Sequence, residues 1–255
     1  MKKIKVFWEN NNKLIMTIVG IIFIFFLWFI ISLIANSPII PHPIDTFRTL
    51  FILLGQKDTY FHIASTLLRL FIGLLISLLL GLIFGILSGV SSHVRAFLKP
   101  LVVTLRTIPT ASIILILISI TKFQYAPIYV TILLIFPLIY EAVVSGLTNI
   151  DQTICDALKV DGDNEFKSLF KVKIPLASPM IKLGFVQSLG LGMKVMIMSE
   201  IISGNRSIYG LGFALRLAQE DILYKEMFAY TLIAIFLVGM IDIAIYLTKK
   251  FFKKT

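Results

Sequence analysis

The chain has 255 residues, 58% of them hydrophobic and only 15% charged, with a mean hydropathy of +0.93. An ordinary soluble domain carries about 25% charged residues, so this composition excludes a soluble globule and a disordered chain alike. The 24 Lys and Arg against 14 Asp and Glu leave a net charge of +10, and a basic excess of that size points either to nucleic acid or to charged loops on one side of a membrane.

Six apolar segments are long enough to cross a bilayer as helices, which takes about 20 residues. They cover residues 14–35, 63–90, 98–121, 126–146, 180–202 and 227–248. The first has no charge in 22 residues and follows Lys2, Lys3 and Lys5. Its apolar core is too long and bulky for a signal peptide, and no small-residue cleavage site follows, so it reads as a retained helix. Between the first two spans, Pro38, Pro41 and Pro43 predict an extended piece, and residues 44–54 predict an interfacial amphipathic helix. The third and fourth spans contain Pro109 and Pro137, which predict kinked helices. Gly81, Gly85 and Gly89 repeat every four residues in the second span, as Gly184, Ser188 and Gly192 do in the fifth. Such stripes predict close helix packing within the chain. The segment 203–225, with Gly204, Gly210 and Gly212, either dips back toward a pore or lies on the surface.

The positive charges orient the chain. With the N-terminus cytoplasmic, the inner segments carry fourteen Lys and Arg and the outer ones six. That bias predicts both termini inside and an even number of spans. It also accounts for the net charge, so no nucleic-acid partner is needed. The lone Cys155 excludes an intrachain disulfide, and the three histidines lie outside or at the edges of the spans. A buried histidine- or cysteine-based catalytic centre is therefore not expected.

The inner segment 147–178 is the least membrane-like part. Ile150, Ile154, Ala157 and Leu158 form one apolar stripe at helical spacing, and Phe166, Leu169, Phe170 and Val172 another. Gly162 lies between them, and Pro175 follows. This predicts a helix, a glycine turn, a short helix and a proline stop. An aromatic stripe outside the bilayer suits a partner's groove.

This stretch resembles the EAA loop of permeases of ATP-binding-cassette importers. Asp156 stands where that family has Glu, and Ala157 and Leu158 where it has two alanines. Gly162 follows six residues after Asp156, and Pro175, preceded by Ile174, thirteen after Gly162. Residues 105–112 (LRTIPTAS) and 199–212 (SEIISGNRSIYGLG, with Glu200, Gly210 and Gly212 matching) resemble the nitrate, taurine, alkanesulfonate and thiamine-precursor branch. The resemblance covers about residue 63 to the C-terminus. The chain departs from it at residues 121–125, in the Asp of the loop and at Lys194.

The resemblance implies an all-α integral membrane protein with six transmembrane helices in one permease domain over 1–255. Its implied partners are two cytosolic ATPase subunits, a second permease copy and an extracellular or periplasmic solute-binding protein. Residues 164–170 would be the coupling helix, with Asp156, Ala157, Gly162, Phe166, Leu169, Phe170 and Pro175 as the coupling loop. The chain contains no G-x-x-x-x-G-K-[ST] sequence. It is therefore expected to need no cofactor and to leave ATP–Mg to the partner ATPase. A stand-alone secondary transporter or channel would explain the spans but not the glycine-hinged loop.

A charge near the bilayer centre costs about 2.5–3.5 kcal/mol on insertion scales. Arg69, Arg106 and Glu141 lie toward span ends, where snorkelling accommodates them. Lys194 and Glu200 are six residues apart and so lie on different faces of one helix. Lys194 either pairs with Glu141 or Asp242 or lines a path for an anionic or polar solute. Candidate path residues are Arg106, Pro109, Lys194 and Glu200.

Overall fold

The computed structural model describes residues 2–160, 165–204, 206 and 208–252. Those residues form helices joined by short turns, with no strand among them. In chain order the helices are α1 (Lys2–Ala35), α2 (Pro43–Leu54), α3 (Lys57–Val90), α4 (Ser92–Thr107), α5 (Thr110–Ile120), α6 (Ala126–Thr148), α7 (Gln152–Val160) and α8 (Glu165–Ser168). A π-helical turn (Leu169–Lys173) leads into α9 (Ile174–Ser203), which is followed by α10 (Leu211–Glu220) and α11 (Tyr224–Phe252). Five helical stretches are long and apolar enough to cross a membrane, and the bent pair α4–α5 makes a sixth crossing if counted as one span.

The core of the bundle is α6, packed between α3 and α9. Glycines set the α3–α6 contact. A Cβ at Gly73 would meet Thr131, one at Gly81 would lie 2.6 Å from Ile139, one at Gly85 2.7 Å from Val143, and one at Gly89 would run into Leu147. Each pair is separated by the same 58 positions, so α3 and α6 run parallel in a fixed register. The four-residue stripe thus serves packing within the chain, letting two backbones approach where any side chain would hold them apart. Gly184 of α9 faces Ala142 of α6, and Gly146 of α6 faces Ala177 of α9, so those two helices run antiparallel.

Parallel α3 and α6 require the chain between them to return across the bilayer. The sequence predicts one kinked helix for that return; instead it is made in two legs. α4 and α5 meet at 98°. Proline drives the residue before it out of helical geometry, and Ile108 is extended at φ −64°, ψ 130°, as is Pro109 at φ −57°, ψ 129°. The Pro109 carbonyl then starts α5 by accepting from the Ser112 and Ile113 amides. Leu98 and Val102 of α4 pack on Phe136 and Tyr140, whereas Ile113 and Ile114 of α5 pack on Val130 and Val195. α4 therefore covers the half of α6 nearer α7, and α5 the other half.

A second difference lies at Pro175. A proline stop is expected there, yet the helix runs on from residue 165 to Ser203. The π-turn explains this. The Ile174 amide bonds back five residues to the Leu169 carbonyl, so the chain enters Pro175 on a widened turn. A missing N–H and a bulky ring are easiest to house next to such a bulge. The short helix expected at 44–54 is found as α2, whose Asp45 Oδ2 lies 2.8 Å from the Lys225 amine at the start of α11.

Candidate functional site

Two regions gather the polar and aromatic residues that the apolar spans do not explain. The first sits where α3, α9 and α10 meet, at the α2 end of the bundle. Glu200 is fully buried, at 0% exposure. Its carboxylate accepts from Arg69 Nη1 at 2.7 Å, from Thr66 Oγ1 at 2.9 Å and from the Gly212 amide at 2.9 Å. Arg69 also donates to the Tyr209 carbonyl at 2.6 Å, and its guanidinium lies over the Phe213 ring, 5.3 Å from the centroid. Thr66 Oγ1 accepts from the Leu211 amide and His62 Nδ1 from the Gly210 amide. Three successive backbone amides, 210 to 212, are thereby held by side chains of α3 and α9.

Glycine at 210 and 212 is required by space. A Cβ on Gly210 would sit 2.7 Å from Phe213 and 2.8 Å from Glu200 Oε1, and one on Gly212 would sit 2.5 Å from the Glu200 Cβ. The segment after Ser203 consequently folds back into the protein. Leu211, Phe213, Ala214 and Leu215 of α10 are all buried.

These contacts correct several sequence expectations. Glu200, a candidate path residue, is buried within this chain and ties α3, α9 and α10 together. Arg69 does not snorkel but pairs with Glu200. Arg106 and Glu141, each also expected to snorkel, pair with one another across α4 and α6 while both remain partly exposed. That pairing removes Glu141 as the partner of Lys194. Pro109 marks the break between α4 and α5. Lys194 has no hydrogen-bond or ion-pair partner among the described residues; its alternative, the Asp242 side chain, lies outside them. Lys194 stands on the wall of a pocket between α9, α10 and α11. Sequence reasoning missed Thr66 and His62 as functional partners. The Gly210–Leu211–Gly212 spacing signals a close approach but does not say to what.

The second region is the segment between α6 and α9. Asp156 and Ala157 are exposed on α7, where Gln152 Nε2 donates to Asp156 Oδ1 at 3.3 Å. Gly162 and Asn164 lie outside the described residues. Phe166 and Phe170 are exposed, at 69% and 50%, with ring centroids 4.8 Å apart. Leu169 between them turns inward and is buried, and Pro175 is exposed inside the continuous helix.

The length of that helix decides what surrounds the two rings. The continuous stretch Phe166–Ser203 has 38 residues. At 1.5 Å per residue it is about 57 Å long, against a hydrocarbon core of about 30 Å. Its Ser203 end is held level with Arg69 and α10 by Glu200, so the surplus projects at the α7 end. Phe166 and Phe170 form an exposed aromatic pair at the α7 end of this stretch, which is longer than one crossing needs.

Among the described residues, no three or more His, Cys, Asp or Glu side chains gather as a metal site. What the arrangement supplies is a bundle with a broken crossing, an anchored re-entrant segment and a projecting aromatic handle.

Comparison with known proteins agrees with this picture. The chain is 24% identical over 193 residues to a "Probable ABC transporter permease protein" of Brucella melitensis biotype 1, covering 75% of this chain and 77% of that one. The similarity to a protein of the same description from Brucella abortus is 24% over 75% of this chain and 76% of the relative. Its fold is similar to a chain of the inward-facing MetNI methionine ABC transporter in the CY5 selenomethionine-soak crystal form. The TM-score is 0.60 at 20% identity, over 77% of this chain and 94% of that one. The native CY5 form gives 0.55, over 73% and 90%. Residues 77–254, well over half of the sequence, match the family described as the binding-protein-dependent transport system inner membrane component. The chain belongs to that family, the membrane-spanning permeases of ABC transport systems.

Proposed function

We propose that this chain is the permease subunit of an ATP-driven importer. Two copies form the pore, two cytosolic ATPase subunits dock on the α7 end, and a solute-binding protein delivers cargo at the α2 end. ATP–Mg binds and is hydrolysed in the partner ATPases, and closure of that pair drives alternating access. Both termini are cytoplasmic, in line with the excess of lysine in the segments at the α7 end. The solute is small and polar or anionic, of the nitrate, sulfonate/taurine or vitamin-precursor class.

The observation that carries this reading is the Phe166–Phe170 pair. The two rings pack on one another and present a joint aromatic surface, and truncation of aromatic anchors of this kind typically costs about 2 kcal/mol or more of binding. Because the helix that bears them continues into the core as α9, a push on the rings is transmitted to the spans.

Phe166→Ala and Phe170→Ala are expected to release the ATPase subunits, with affinity down about thirtyfold, while the permease still inserts and keeps its melting temperature. The measurement is co-purification of affinity-tagged permease with its ATPase. Wild-type stoichiometry in both variants would overturn the docking assignment.

A further inference from the structure

The pocket that Lys194 borders carries more information about cargo than the family does. It has a volume of about 840 Å³ and is walled chiefly by Lys194, Met198 and Ile201 of α9 and by Phe228, Thr231 and Ile235 of α11. Its polar side chains are few. Thr231 spends its hydroxyl hydrogen on the Met227 carbonyl at 2.8 Å. Gln219 of α10 is the other polar side chain on the wall, and the Lys194 ammonium is its one cation, with no partner among the described residues.

The depth of that ammonium matters. Lys194 lies nine residues before Ser203, hence about 13 Å along the helix from its end. Counted from Ser203 as the outer edge of a hydrocarbon core about 30 Å thick, this is close to mid-depth. A lipid phosphate, anchored at the interface, does not reach there. A bare inorganic anion does not suit the site either. It would exchange its hydration shell for one ammonium, the Gln219 amide and a wall of Met, Ile and Phe, and desolvating a charge with so little compensation is costly. An organic anion satisfies both sides: its charged group pairs with Lys194 and its apolar body covers the wall. Sites of a few hundred Å³ with one well-placed polar group are typical of small organic ligands.

We infer that the Lys194 pocket is a cargo site for an amphiphilic organic anion, one with a single negative group on a compact apolar or aromatic body. This rests on the transporter reading above and narrows its solute class away from inorganic ions such as nitrate.

The test uses the full-length permease with its ATPase subunits in phosphatidylcholine nanodiscs, with radiolabelled 1-naphthoate as probe. Saturable binding is expected. Lys194→Met should weaken it about tenfold or more, the loss of one charge-assisted hydrogen bond. Lys194→Arg should retain most of it, and Ile235→Trp, which fills the pocket, should abolish it. The neutral 1-naphthalenemethanol should compete about tenfold more weakly than unlabelled naphthoate, and nitrate should not compete at equal concentration. Should Lys194→Met fail to assemble, Ile235→Trp and the competition series decide the matter. Three results would each overturn the inference: unchanged binding in Ile235→Trp, nitrate displacing naphthoate as well as naphthoate itself does, or displacement by phosphatidylglycerol in the disc. Loss of ATPase co-purification would instead strike the transporter reading, and naphthoate binding to the permease alone separates the two failures.

Discussion

Arg69 Nη1 and Glu200 Oε1 lie 2.7 Å apart although 131 positions of chain separate them. The pair joins α3 to α9 at the level where the chain re-enters the protein, and the same carboxylate accepts the Gly212 amide. It therefore fixes three elements at once. In a membrane protein such a pair is a register device, since the penalty for an unpaired buried charge rejects neighbouring registers.

Removing one partner of a buried pair costs about 3–5 kcal/mol because the other charge is left uncompensated. Glu200→Gln and Arg69→Met are each expected to lower the melting temperature of the detergent-purified protein. The double variant should recover part of the loss, because contacting sites are not additive. Strict additivity of the two would show that the pair contributes no coupling.

Gly212→Ala forces a methyl group against Glu200 and the α9 backbone. Overpacking of this sort costs about 1–3 kcal/mol, and the thermal transition should fall. Gly239→Ala in α11 meets nothing within 4 Å. It should be neutral or raise stability by about 0.5–1 kcal/mol, the ordinary helix preference for alanine. Equal effects at the two positions would show that close approach is not what holds Gly212.

Topology is open to cysteine labelling. Cys155 is partly accessible on α7, so the background is Cys155→Ser. In intact cells a cysteine at Gln56 should react with a membrane-impermeant maleimide, and one at Lys167 only after permeabilisation. Labelling at 167 in intact cells would reverse the proposed orientation.

The Asp45–Lys225 pair ties α2 to α11 outside the spans. The hydrogen bond and charge of Lys225 hold the Asp45 carboxyl below its ordinary value. A carboxyl lowered by folding contributes stability that is fully present above its unfolded pKa, about 3.9, and is lost as pH falls through the lowered value. Wild type and Lys225→Met should therefore differ by a constant, small amount from pH 5 to 8 and converge below pH 4. A gap that widens in acid would assign the effect to another group.

The sequence by itself determined the membrane class and an all-helical fold with five or six candidate crossings. Apolar length and the cost of buried charge are local properties, readable one segment at a time. It also carried the α3 glycine stripe, the short helix α2 and the Phe166–Phe170 pair, because helical spacing alone places them on one face. The tertiary structure decided what spacing cannot express. Periodicity shows that Arg69, Arg106, Glu141 and Glu200 are costly, but the partner that offsets each cost sits on another helix, and only packing sets that register. The same holds for the prolines. Pro109 breaks its crossing and Pro175 does not stop its helix, because the outcome depends on whether α6 receives two separate legs and whether a π-turn makes room for the ring. Lys194 is a residue for which packing supplied no protein partner among those described, which periodicity alone could not show.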